Sequence, residues 1–317
     1  MSLDLTGIIN ENDYYTDHYL REILESDLKD LFIQWREQAE KTGIPSPDQR
    51  LRSLAQTYFS TRASLKRIRR LPELLETQAP FLGELLQALG YEMRPAVKSG
   101  ESGVAIPIVG EICKPGGGPR LWILEVATSV LEPEGPLQQT ILEEQYSEPP
   151  EDCPEEPWVD VITREIFGLA DPPRWVLVID FNTVVLIDRS KWHEKRLLRF
   201  DLNEIFGRRE TSTFRAMAAL LHHESVCPDD GEPLLDTLDE QSHKHAYQVS
   251  EDLKYSVREA IELIGNEALY YLREVRHEGI YGKELSDQLT RECLRYMYRL
   301  LFLLYLEARP ELGYADL

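Results

Sequence analysis

Apolar residues recur every three or four positions at both ends of this chain, and in short continuous runs through its middle. Near the start, Tyr19, Leu20, Ile23, Leu24, Leu28, Leu31, Phe32 and Trp35 form one stripe, which predicts a helix. Thr42-Gly43 and Pro45-Ser46-Pro47 break it, and a second helix is expected from Leu54 to Ile68. Residues 1–70 therefore read as a helical N-terminal segment.

The period changes over residues 71–205. A helix is expected between Pro80 and Gly90, with Phe81, Leu82, Leu85, Leu86 and Leu89 on one side. Three β-like runs follow, Tyr91 to Val97, Val104 to Cys113 and Leu121 to Leu124, the last reached through the turn Pro115-Gly116-Gly117-Gly118-Pro119. Trp158, Val161, Ile162, Ile166 and Phe167 outline a short helix ending at Gly168. Trp175 to Ile179 and Thr183 to Ile187, with a short break between, read as a hairpin, and Leu197, Leu198 and Phe200 as a last strand. This order gives an α/β fold, a mixed sheet with helices packed on it.

Residues 206–317 return to a helical period and form a helical connector domain. Pro228 to Gln241 reads as a surface loop, and Ser250-Glu251-Asp252 as a helix start. Leu253, Val257, Ile261, Ile264, Ala268, Leu272 and Val275 make one stripe. Leu285, Leu289, Cys293, Met297, Leu300 and Leu304 make a second, after a break at Tyr281-Gly282 and before Pro310 and Gly313. Two long antiparallel helices are expected.

Composition changes this picture in three respects. The four cysteines are scattered with no C-x-x-C pair, which suits a reducing, cytoplasmic setting and no disulfide or zinc framework. The start of the chain lacks the basic and apolar regions of a signal peptide, and the longest apolar run, Leu300 to Leu306, is too short to span a membrane. The net charge of −21 opposes indiscriminate binding to nucleic acid. That charge is uneven. Ile141 to Asp160 holds eight acids, no base and prolines at 149, 150, 154 and 157, the composition of a solvated loop. Arg62, Lys66, Arg67, Arg69 and Arg70 fall within nine residues that contain no acid.

Two candidate sites follow. Glu111 and Glu125 sit near the ends of successive predicted strands, where two carboxylates can share a Mg²⁺ that activates water against a phosphodiester. A lysine two residues after the second acid would complete such a site, but Ala127 stands there, leaving Lys98 or Lys114 to substitute. The bland alternative is that strand ends are exposed and so carry acids. Arg62, Lys66, Arg69 and Arg70 lie three and four apart, as on one helix face suited to backbone phosphate, or as a solvated face balancing an acidic neighbour. The remaining candidates read as structural. His222-His223, Cys227, His243 and His245 read as polar surface, and Asp171-Pro172-Pro173-Arg174 as a turn. Gly116-Gly117-Gly118 lacks the following helix a phosphate or S-adenosylmethionine loop needs.

Asn12 to Leu20, Leu121 to Glu125, Trp175 to Arg189 and above all Leu294 to Leu312 resemble the N-terminal region of type IIG restriction-modification enzymes and related phage-defence adenine-specific DNA methyltransferases. In that family a nuclease-like domain and a helical connector precede the methyltransferase. The resemblance implies a restriction-endonuclease-like, PD-(D/E)xK core with helical flanks, in a chain that is the front portion of a longer protein. It implies Glu84, Glu111 and Glu125 as catalytic residues with Mg²⁺, and DNA and the protein's own methyltransferase domain as partners. S-adenosylmethionine would belong to that further domain. Ala127 departs from the family's lysine, so the expectation is a DNA-associated module with a weak or degenerate nuclease core. The alternative is a non-catalytic scaffold for the methyltransferase.

Overall fold

The computed structural model describes residues 3–128, 135–150, 153–277, 279 and 282–308. The break at Tyr281, the stops at Pro310 and Gly313, and the end of the family-like stretch at 309–312 lie outside the described residues. Contacts divide the chain into two compact units, Met1–His243 and Lys244–Leu317.

The first unit opens with β1 (Ile8–Glu11), then α1 (Leu24–Asp27), α2 (Lys29–Thr42), α3 (Pro47–Ser53), α4 (Ala55–Leu65) and α5 (Leu71–Ala88). Strands β2 (Ala96–Ser99), β3 (Ala105–Ile108), β4 (Gly110–Cys113) and β5 (Pro119–Glu125) follow, then α6 (Trp158–Asp160), which runs into the π-helical turn Val161–Ile166. Next come β6 (Trp175–Ile179), β7 (Thr183–Asp188), β8 (Leu197–Asp201), α7 (Leu202–Arg208), α8 (Thr211–Leu221) and α9 (His223–Val226). The division between the units falls inside α10 (Leu234–Tyr270), and α11 (Lys283–Ala308) belongs to the second.

Six strands form one mixed sheet in the order β1-β8-β7-β6-β5-β4. Among the described strands only β5 and β6 pair parallel, Leu121 opposite Trp175 through Glu125 opposite Ile179, a pairing that needs the long connection found between them. The alternating side chains of β5 serve both faces. Leu121 and Ile123 join α4, α5, α7 and α8 in one core, whereas Trp122, Leu124 and Val126 join Trp158, Val161 and Ile162 in the other. Helices thus lie on one face, and a helix with irregular chain on the other.

The hairpin Trp175–Asp188 and the last strand agree with the sequence pattern. Five expectations need correction. Strand β2 begins only at Ala96 and pairs with β3 in a two-stranded sheet of its own, and the run Val104 to Cys113 divides into β3 and β4. The N-terminal segment is not all helical, because Ile8–Glu11 pairs with β8 as an edge strand of the sheet. Helix α5 starts at Leu71 and runs through Pro80, which lies on its exposed side, so the hydrogen bond proline omits faces water. Helix α10 starts sixteen residues before Ser250, because Leu235 and Leu238 are buried in the first unit's core. The acidic stretch is not uniformly solvated, since Ile141 and Tyr146 are buried and Tyr146 Oη donates to the carbonyl of Ala105 at 2.9 Å.

One aromatic cluster fixes how α4 meets the sheet. Tyr58 of α4 stacks on Phe181, at the turn after β6, and on Phe206 of α7, each at 4.8 Å between centroids. Phe81 of α5 closes the group at 5.5 Å from Tyr58. The first half of α4 and the second half of α5 are thereby held over one face of the sheet. In the second unit, among the described residues, only Cys293 and Met297 are buried. No helix among the described residues is long and apolar enough to cross a membrane.

Candidate functional site

The parallel pair β5 and β6 ends in two buried acids, Glu125 and Asp180. Glu125 Oε1 accepts a hydrogen bond from Gln78 Nε2 at 3.0 Å, and the same amide group donates to the Val126 carbonyl at 2.9 Å. Gln145 Nε2 donates to the backbone carbonyl of Glu125 at 2.6 Å. Burial raises the Glu125 carboxyl above its ordinary range, and the Gln78 hydrogen bond opposes this only in part. A cavity of about 360 Å³ opens beside it, lined in part by Glu76, Met93, Val97, Ile108 and Glu144.

The carboxylates expected to share Mg²⁺ are not brought together. Glu111 lies opposite Trp122 in the β4–β5 register, so it points to the face of Trp122. Glu125 is three residues further along β5, an odd step, and points to the other face. Glu111 is held instead by Lys98 of β2, whose Nζ donates to it at 2.7 Å. Lys114 pairs with Asp171, also at 2.7 Å, so neither lysine takes the position of Ala127 beside Glu125. Glu84 is exposed, while the inward side of α5 carries Leu74, Leu75, Gln78, Phe81 and Leu82. Among the described residues, no three His, Cys, Asp or Glu side chains are grouped to hold a metal ion. The expected donor set does not fit a shared ion: its members face different directions, and one is already neutralised by a lysine.

Gln78 is the α5 residue that reaches Glu125, and it is not among the expected site residues. Its signal was a polar residue inside the apolar stripe of a helix.

Asp180 has a turn-forming role. Its Oδ1 accepts from the backbone N–H groups of Asn182 and Thr183, each at 2.6 Å, and Oδ2 accepts from the Thr128 hydroxyl at 2.7 Å. Burial nevertheless pushes this carboxyl up from 3.8 to about 7, outweighing those three hydrogen bonds. A raised value in the folded state means that the fold favours the neutral acid. The associated stability is present below the ordinary value and is lost as pH rises from about 4 to about 7. Chemical denaturation across that range should show this fall in the wild type and a flatter profile in Asp180→Asn.

The histidines are not all surface residues. His222 is buried, its ring 5.8 Å from that of Trp35, and its Nδ1 accepts from the Glu224 backbone N–H at the start of α9. Burial, with Arg50 and His223 nearby, lowers it to about 4. Cys227 is buried as well.

The basic cluster is built differently from one helix face. Helix α4 ends at Leu65, Lys66 caps it, and Arg70 has extended backbone (φ −98°, ψ 127°) as the residue before α5. Arg62 and Lys66 are favoured because they meet the negative end of the α4 dipole, whereas Arg70 stands at the positive end of α5. Arg70 pairs with Glu73 at 3.6 Å. Arg62, Lys66, Arg67 and Arg69 make no ion pair with an acid among the described residues, and all but the half-buried Arg62 are exposed. Gln78 follows Arg70 by eight residues, about 12 Å along α5. The junction therefore stands at one end of the helix whose middle covers Glu125.

Compared with known proteins, the chain matches no protein-family model, no curated protein and no solved structure.

Proposed function

We propose that this chain is a DNA-associated module of bacterial restriction-modification or phage-defence machinery, with a restriction-endonuclease-like core that binds without cutting. The observation that carries the reading is the α4–α5 junction, where four cations have no acid partner among the described residues, in a chain of net charge −21. Unpaired cations concentrated in an acidic protein mark the place where an external polyanion is welcome. The order of helix, strands, β5, crossover and parallel β6 supports a nuclease-like ancestry, as does the acid that ends β5. Ala127, the opposed faces of Glu111 and Glu125, and the exposed Glu84 support loss of the Mg²⁺ chemistry. In this reading S-adenosylmethionine and methyl transfer belong to a methyltransferase domain of the longer protein, and the setting is cytoplasmic.

Supercoiled plasmid incubated with the chain and Mg²⁺ or Mn²⁺ tests the catalytic half. The plasmid is expected to remain supercoiled. Nicking by the wild type that disappears in Glu125→Ala would restore an active nuclease.

A second reading, a scaffold for the methyltransferase, is favoured by one feature of the second unit. Leu294, Tyr298, Phe302 and Tyr305 form an exposed stripe on α11 at steps of four, four and three. Such a stripe is the seam by which helices associate.

A further inference from the structure

The cations at the α4–α5 junction are extended by residues from a distant part of the chain. Arg209 ends α7 with left-handed backbone (φ 57°), and its guanidinium lies 5.4 Å from the ring centroid of Phe59 in α4. Phe59 precedes Arg62 by three residues, so Arg209 arrives beside Arg62 on the same helix. Arg52 of α3 is exposed, and its Nη1 donates to Thr211 Oγ1 at 3.2 Å, two residues beyond Arg209. Leu54 separates α3 from α4, and its N–H turns back to the Leu51 carbonyl at 3.1 Å, so the two are distinct helices. Within α4 and its cap, Phe59, Arg62 and Lys66 follow at steps of three and four, on one side over about 10 Å.

We infer that Arg52, Arg62, Lys66 and Arg209 form one belt that contacts the phosphate backbone of duplex DNA, with Arg209 as its centre. The inference rests on the DNA-binding reading above and specifies which surface performs it. Cations drawn from α3, from α4 and its cap, and from the end of α7 suit several phosphates rather than one small anion. Long cationic side chains with Phe59 covered by a guanidinium offer contacts to phosphate and no stacking platform for bases, so binding is blind to sequence. Arg208, next in sequence, is spent on Asp4 at 3.1 Å and does not join the belt. Glu210 is the exposed acid beside Arg209 and opposes the same ligand.

Fluorescence anisotropy with a labelled 20-base-pair duplex and the full chain tests this. Arg209→Asn removes the cation while keeping a residue that tolerates left-handed backbone, so the fold is retained. It is expected to weaken binding about tenfold at low salt and to reduce the salt slope by about 1. Arg209→Lys should restore most of the affinity, and Glu210→Gln should tighten binding. Wild-type affinity and slope in Arg209→Asn, alongside lost binding in Arg62→Ala/Lys66→Ala, would overturn the belt and leave the DNA reading standing. Absence of duplex binding by the wild type would overturn both.

Discussion

Arg174→Ala is expected to destabilise the chain by about 3–5 kcal/mol, because it strands a buried carboxylate. Asp188 is 1% exposed and accepts from Arg174 Nη2 at 3.1 Å. Its other oxygen accepts from the Ser190 N–H and hydroxyl at 2.8 and 2.7 Å, so the arginine supplies its only positive charge within salt-bridge distance among the described residues. The same guanidinium donates from Nη1 to Asp236 at 2.7 Å, in the first turn of α10, and stacks over Trp175 at 4.6 Å. One side chain thus neutralises the end of β7 and fastens α10 to the sheet. Urea denaturation should show the loss in Arg174→Ala and partial recovery in Arg174→Ala/Asp188→Asn, where the stranded charge is removed. A loss below about 1 kcal/mol would mean the pair behaves as an exposed one.

Much of the fold was legible because strands and helices differ in period. Trp175–Ile179 and Thr183–Asp188 are almost entirely apolar over lengths too short for buried helices, and they pair as read. Ile8–Glu11 was not legible, since four residues with one polar end carry no period, and only β8 makes them a strand. The start of α10 was hidden for a similar reason. Leu235 and Leu238 sit among acids and look like loop until a core is present to receive them.

The site was less legible than the fold. Alternation along β5 and the β4 register decide that Glu111 and Glu125 face apart, and register is a pairing property that neither strand carries alone. The junction cations were visible as composition but misassigned to a helix face, because Arg70 takes extended backbone where the spacing continued. Arg174 looked like part of a proline turn. Its two acid partners lie 14 and 62 residues away, beyond any local pattern. Arg209 meets Phe59 across a still longer stretch of chain.

The largest functional effect belongs to Arg62, Lys66, Arg67 and Arg69 together. Each cation that neutralises a phosphate releases counterion and adds about 0.9 to the slope of log affinity against log salt, giving about −3.6 for these four. Affinity for duplex DNA should then fall about 150-fold between 50 and 200 mM salt, whatever the sequence. Replacing all four with alanine should abolish most of this dependence while leaving the melting temperature near the wild-type value, because three of the four are exposed. The salt slope of duplex affinity, measured for the wild type and the four-alanine variant, is therefore the most direct test that this junction holds a nucleic-acid backbone. A steep slope in the wild type that flattens in the variant is the expected result; equal slopes in the two proteins, or no binding at 50 mM salt, would contradict it.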